Sequence, residues 1–152
     1  IEKIVVQLPN KLKNKSVVIL DGNFLNFDPF IGTSYHLLSV VKHAKIQIQN
    51  KKYPKFSDKK KIFLNQKFVN NLKLSKFNKF IKFGKKFIPI LSKAKYIKSA
   101  YAVRCVEVSS NNQYRKTELQ FFGKNIIAVF SGKWNNCVKV GYEIKKLLDN
   151  EK

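Results

Sequence analysis

Arg104 makes the sharpest chemical demand of any side chain in this 152-residue sequence. Alternation along residues 99–108 sets Tyr101, Val103, Cys105 and Glu107 on one strand face and Ala102, Arg104 and Val106 on the other. A guanidinium among apolar neighbours needs an anion, because leaving the charge buried and unpaired is strongly destabilising. That anion is either a core carboxylate, Asp21 or Asp28, or the carboxylate of a bound substrate, and the residues alone leave both open. His36 beside Tyr35 is placed to line a substrate pocket, unless it is an ordinary strand histidine. His43, further along the same extended stretch, faces the other way, which argues against a metal shared by the two histidines. Ser131, Gly132 and Lys133 fill a loop between an apolar strand and a helix, where unpaired first-turn N–H groups favour an anion or dipole. Cys105 and Cys137 have no metal-ligand spacing and read as core thiols of a reducing compartment. There is no nucleophile–base constellation and no pair of facing carboxylates to support hydrolysis.

These residues must be held by a sheet built around residues 16–48. Residues 16–20 form a β-branched strand, Asp21-Gly22 suits a tight turn, and residues 23–28 return as its partner. Pro29 and Gly32 make 28–33 a loop. From Tyr35 to Gln49 a long strand is expected; helix is its rival over residues 35–46. Residues 4–8 make a short strand closed by Pro9, an orphan if its neighbours belong to a larger protein. Residues 50–61 are a lysine-rich loop. In residues 65–91, Phe68, Val69, Leu72, Phe77, Phe80, Ile81, Phe87, Ile88 and Leu91 recur at helical spacing, with Ser75 as an N-cap and Pro89 as the stop. One broken helix or two would then lay a phenylalanine stripe on the sheet. Strands at 99–108 and 114–122 follow, then an apolar strand, 126–130, of the kind buried on both faces. A helix over 137–148 closes the chain, with Val140, Ile144, Leu147 and Leu148 inward.

The pattern DG-x-F-x-x-x-DP at 21–29, the Tyr35-His36 pair and V-K-H-A at 41–44 resemble the substrate domain of FAD-dependent oxidoreductases of the D-amino-acid-oxidase-like family. Phe87-Ile88-Pro89, Ala102-Val103-Arg104 and IAVFSGKWNNCV at 127–138 fall in that family's order. The resemblance covers nearly the whole chain, but only the C-terminal part of such an enzyme. It implies FAD as cofactor and oxidation of a C–N or C–O bond in a small amino- or hydroxy-acid-like substrate, by hydride transfer to FAD. It places Arg104 and His36 nearest the substrate, and Ser131, Gly132 and Lys133 near the pyrimidine end of the flavin. There Lys133 would stabilise the reduced, anionic ring. The dinucleotide-binding signature G-x-G-x-x-G is not among these residues, so the resemblance requires an additional N-terminal FAD-binding segment, without which FAD would not be held firmly.

Composition adds bounds and an alternative. The formal net charge is +22, carried almost wholly by lysine. Lysines spread from end to end read as solvated faces, but such a field also suits a basic module that binds nucleic acid or another polyanion. A non-catalytic interaction domain that keeps the fold is a third reading. No apolar run approaches the roughly 20 residues of a membrane span, and a soluble, cytoplasmic protein is expected. The sequence contains no Met, which suggests a fragment or processed product. The expected fold class is α+β: a mixed, largely antiparallel sheet covered on one face by helices, plus a terminal strand–helix unit. Residues 1–125 would be the substrate domain, and 126–152 the returning strand, loop and helix of the FAD-binding domain.

Overall fold

The computed structural model describes residues 1–20, 24–51, 53–64, 68–104, 117–123, 125–130 and 136–150. Two compact units divide the chain, Ile1–Arg104 and Cys105–Lys152. The class is α+β, as expected.

The first unit is a five-stranded sheet in the order β2-β3-β4-β1-β5. Its strands are β1 (Glu2–Gln7), β2 (Val17–Ile19), β3 (Leu25–Pro29), β4 (His36–Val40) and β5 (Lys95–Tyr101). Every pairing in it is antiparallel. The first strand is no orphan: β1 is hydrogen-bonded to β4 on one side and β5 on the other. Its sequence explains this, because Ile4, Val5 and Val6 are consecutive and all fully buried, as a central strand requires.

Register decides which side chains share a face. Ile4 lies opposite Leu38, Val6 opposite His36, Phe27 opposite Leu38 and Leu25 opposite Val40. All seven therefore point to one side of the sheet, where helix α3 (Phe77–Gly84) and the 3₁₀ turn Pro89–Lys93 add Phe80 and Leu91 to the core. The approach is close: a Cβ at Gly84 would lie 2.8 Å from Leu25 Cδ1 and 3.0 Å from Leu91 Cδ1. Of the expected 65–91 helical pattern, then, only the central part is α-helical, and Val69 instead forms an isolated bridge with Ser99. The N-cap of α3 is Lys76, without a side-chain cap bond, rather than the expected Ser75, whose Oγ accepts the Phe77 N–H at 3.1 Å.

The expected long strand from Tyr35 stops at Val40. Residues 41–44, V-K-H-A, turn into α1 (Val41–Ala44). The Val41 N–H still keeps the β3–β4 register, donating to Phe24 O at 2.9 Å, and the chain turns beyond it. The Lys76 ammonium then donates to the His43 and Lys45 carbonyls at 3.2 and 2.6 Å, satisfying groups that a helix end leaves open. The lysine-rich loop that follows contains one helical turn, α2 (Asp58–Lys61). Strand β5 starts at Lys95 and ends at Tyr101, earlier at both ends than the alternation suggested; residues 105–116 lie outside the described set.

The second unit pairs β6 (Glu118–Phe122) with β7 (Ile126–Phe130), antiparallel, and ends in α4 (Cys137–Asn150). Gly123, at φ 64°, makes the turn between the strands. Strand β7 was expected to be buried on both faces, yet Ile126 is 61% and Val129 42% exposed. The reason is topological: a two-stranded ribbon has no second layer to bury both faces of an apolar strand. In α4 only Val140 is fully inward, Ile144 and Leu147 are half-buried, and Leu148 is exposed.

Candidate functional site

The five-stranded sheet carries its helical cover on one side; on the other, Val5 of β1 is fully buried while the residues around it are less so. Opposite the core face stand Asn26 and Asp28 of β3, Leu37 and Ser39 of β4, and Lys98 of β5, all half-buried. Asp28 accepts from the Ser16 hydroxyl and, at 2.8 Å, from the Asn26 side-chain amide. Lys98 Nζ lies 4.0 Å from the centroid of the Phe68 ring, which packs against Phe30 at 5.9 Å. This side thus offers a short run of hydrogen-bonding groups flanked by a cation over an aromatic pair.

Arg104 is exposed and lies past the end of β5 rather than inside a strand. The expected ion pair with Asp28 is not made, since both Asp28 oxygens are taken by Ser16 and Asn26. Asp21 lies outside the described residues, as do Ser131, Gly132, Lys133 and Cys105. Among the described residues no carboxylate pairs with Arg104. Tyr35, just before β4, is half-buried; its N–H donates to Thr33 Oγ1 at 3.1 Å. Cys137 is exposed at the start of α4, not a core thiol, because the first turn of that helix turns outward.

His36 is placed differently from expectation. It sits on the helix-covered face, 2% exposed, with its ring edge-on to Phe27 at 6.1 Å. Among the described residues neither ring nitrogen has a hydrogen-bond partner. His43 is not on the same strand at all; it packs edge-on against Phe83 of α3 at 5.9 Å. Burial pushes the His36 pKa below its ordinary 6.5, and the nearby Asp28 opposes this. The folded state therefore holds the neutral ring, and the unfolded chain takes up the proton first. Stability from this site is intact above pH 6.5 and is lost as the pH falls below it. We expect His36→Phe to flatten the acid side of the stability profile relative to wild type, with a change within about 1.5 kcal/mol at pH 8. Urea midpoints between pH 8 and 5 for the two proteins measure this.

A polar cluster that sequence reasoning missed lies at the start of β1. Glu2 is fully buried, yet it accepts hydrogen bonds from Ser75 Oγ and Ser99 Oγ, both at 2.6 Å, from Tyr101 Oη at 3.3 Å and from the Lys76 N–H at 3.1 Å. Tyr96 Oη continues the chain to Ser99 and to the Val69 carbonyl. Burial and then the Glu2 charge push the Tyr101 hydroxyl well above the ordinary phenol range, so it remains a donor. A lone glutamate opening an apolar strand was the available signal, but its partners come from residues 75–101 and no spacing rule connects them. The cluster is saturated and reads as a tie between β1, β5 and the start of α3.

No family model matches the chain, and neither a curated protein nor a solved structure matches it. Among the described residues no group of His, Cys, Asp and Glu could hold a metal ion, and no helix is long and apolar enough to cross a membrane.

Proposed function

We propose that this chain is the substrate-domain part of a FAD-dependent oxidoreductase of the D-amino-acid-oxidase-like type, acting on a small amino- or hydroxy-acid-like compound. The supporting observation is the uneven cover of the sheet, helical on one face and complete only around Val5 on the other. Helix α3 and the 3₁₀ turn bury one face, while the other keeps Asn26, Asp28, Ser39 and Lys98 at an incompletely covered surface. A domain that must roof a pocket formed with another body needs such a face.

The described residues form no cradle for the cofactor's pyrophosphate, and the sequence has no G-x-G-x-x-G. The nucleotide-binding part would lie outside these 152 residues. FAD, when bound, would supply the hydride acceptor. The contribution of this chain is binding and orientation. The Arg104 guanidinium, exposed and without a carboxylate partner among the described residues, suits a bidentate grip on a substrate carboxylate. Tyr35 precedes β4 at the Val6 end of β1, whereas Arg104 follows Tyr101 at the Glu2 end, so the register does not bring the two together; His36 is withdrawn into the core and would act through packing alone.

The test is to purify the complete gene product that contains these residues and record its visible spectrum before and after anaerobic mixing with amino and hydroxy acids. Flavin absorbance that bleaches with one of them supports the proposal. In that case Arg104→Lys should raise KM for the carboxylate substrate by at least about tenfold, as loss of a bidentate pair requires, with the melting temperature unchanged. A folded but colourless product would mean a non-catalytic domain.

A further inference from the structure

Lys42 and His43 of one segment meet Lys76 and Lys79 of another at one corner of the Ile1–Arg104 unit, and the charge of Lys60 reaches Lys76 there. Lys42 and His43 belong to α1, Lys60 to α2, and Lys76 and Lys79 to the start of α3. Lys76 pins the corner, because its ammonium holds the carbonyls of His43 and Lys45. Lys42 Nζ lies 5.9 Å from the centroid of the Phe83 ring, and Phe83 contacts Phe87 at 5.3 Å. Phe87 is 52% exposed.

Among the described residues no carboxylate forms an ion pair with Lys42, Lys60, Lys76 or Lys79; the surface carboxylate of α2, Asp58, is paired with Lys61 at 2.7 Å. The other anion near the corner is Glu2, which is buried and bonded to Ser75, Ser99 and Tyr101. Burial and then Lys79 lower the Lys76 pKa, with Lys60 adding to the effect and Glu2 opposing it. Burial and then Lys42, Lys79 and Lys76 lower that of His43. Like charges gathered this way work against the fold. The unit as a whole holds 23 of the 31 basic residues and four of the nine acidic ones, a formal net charge of +19. A general excess of lysine would coat the surface; it does not explain why residues 42, 60, 76 and 79 converge.

A partner must therefore be anionic, and the packing of α3 selects its kind. A helix that binds a lipid surface offers its apolar stripe to the membrane. Here Phe77, Phe80, Ile81 and Phe83 are already packed on the sheet core. What remains outside is charge and one accessible aromatic ring, the combination that grips phosphates and stacks a base. We propose that the corner formed by α1, α2 and the start of α3 binds the phosphate backbone of single-stranded nucleic acid, with Phe87 as a stacking surface.

Fluorescence anisotropy of a labelled single-stranded oligonucleotide of about 20 nucleotides, titrated with the full chain at several salt concentrations, tests this. Lys42→Gln, Lys60→Gln and Lys79→Gln combined should weaken binding at least tenfold at low salt. They should also reduce the slope of log affinity against log salt by about 2, at about 0.7 per phosphate contact. The control neutralises exposed Lys11, Lys13 and Lys15, which follow the end of β1 remote from α1 in the sheet register, and should change affinity less than about twofold. Equal losses in both variants, or none in either, would overturn the proposal in favour of a diffuse field. Tighter binding to phosphatidylserine vesicles that displace the oligonucleotide would overturn it in favour of a membrane. In the wild-type protein, bound oligonucleotide should selectively protect Lys42, Lys60 and Lys79 from acetylation. Protection spread evenly over all lysines would sink the idea without any variant.

Discussion

Replacing Glu2 with alanine is expected to destabilise the Ile1–Arg104 unit by about 3 kcal/mol, read as a lowered urea midpoint at constant m-value. The carboxylate is fully buried and is the common acceptor for two serine hydroxyls, the Tyr101 phenol and the Lys76 N–H. Removing it strands these donors, of which the Ser99 hydroxyl is fully buried and the others half-buried. Ser99 keeps partial compensation from Ser75 at 3.1 Å and Tyr96 at 3.2 Å, so the loss is smaller than the sum of all four bonds. Tyr101 likewise keeps the Ser99 side chain as a partner. Glu2→Gln should cost less, about 1–2 kcal/mol: the amide oxygen can serve the three hydroxyls, but its NH₂ then faces the Lys76 N–H, donor against donor. If the alanine variant unfolds at the wild-type midpoint, the cluster contributes nothing to stability and the tie between β1 and α3 lies elsewhere.

Phe80→Ala should have the larger effect, about 3–5 kcal/mol. Phe80 is the fully buried phenylalanine of α3 and packs into the cluster of Ile4, Val6, Leu25, Phe27, Leu38 and Val40. Helix α3 has eight residues, too few to be stable alone, so its existence depends on docking. The expected signature is therefore local as well as global: amide exchange in residues 77–84 should accelerate more than in β1 or β4. Typical domains are stable by about 5–15 kcal/mol, so this variant should be substantially unfolded at physiological temperature if the unit is near the lower bound. Uniform acceleration across the sheet and α3 would instead mean that the helix opens only with global unfolding.

The legibility of this chain differed from segment to segment for identifiable reasons. Strands β1 to β4 were visible as β-branched or alternating runs with Pro and Gly between them, since those signals are local. The end of β4 was not. Val40-Val41 favours extension, and the helical turn at 41–44 follows from Lys76, distant in sequence, bonding the carbonyls of His43 and Lys45. The phenylalanine stripe marked α3 correctly, yet Phe68 and Val69 share its period while lying beside β5. Arg104 looked half-buried because alternation was carried past Tyr101, where the strand ends. His36 looked available because one strand cannot say which of its faces receives the helix.

From the residues alone came the class of fold, the antiparallel habit of the sheet, the helical cover and the lysine excess, all properties of short-range pattern and composition. Contacts between distant segments decided that β1 is central, that His36 is buried and Arg104 exposed, that Glu2 gathers donors from residues 75–101, and that four lysines share a corner. The physical reason is that periodicity specifies which residues of an element lie together, whereas the partner for that face is chosen by packing and hydrogen-bond satisfaction over the whole chain.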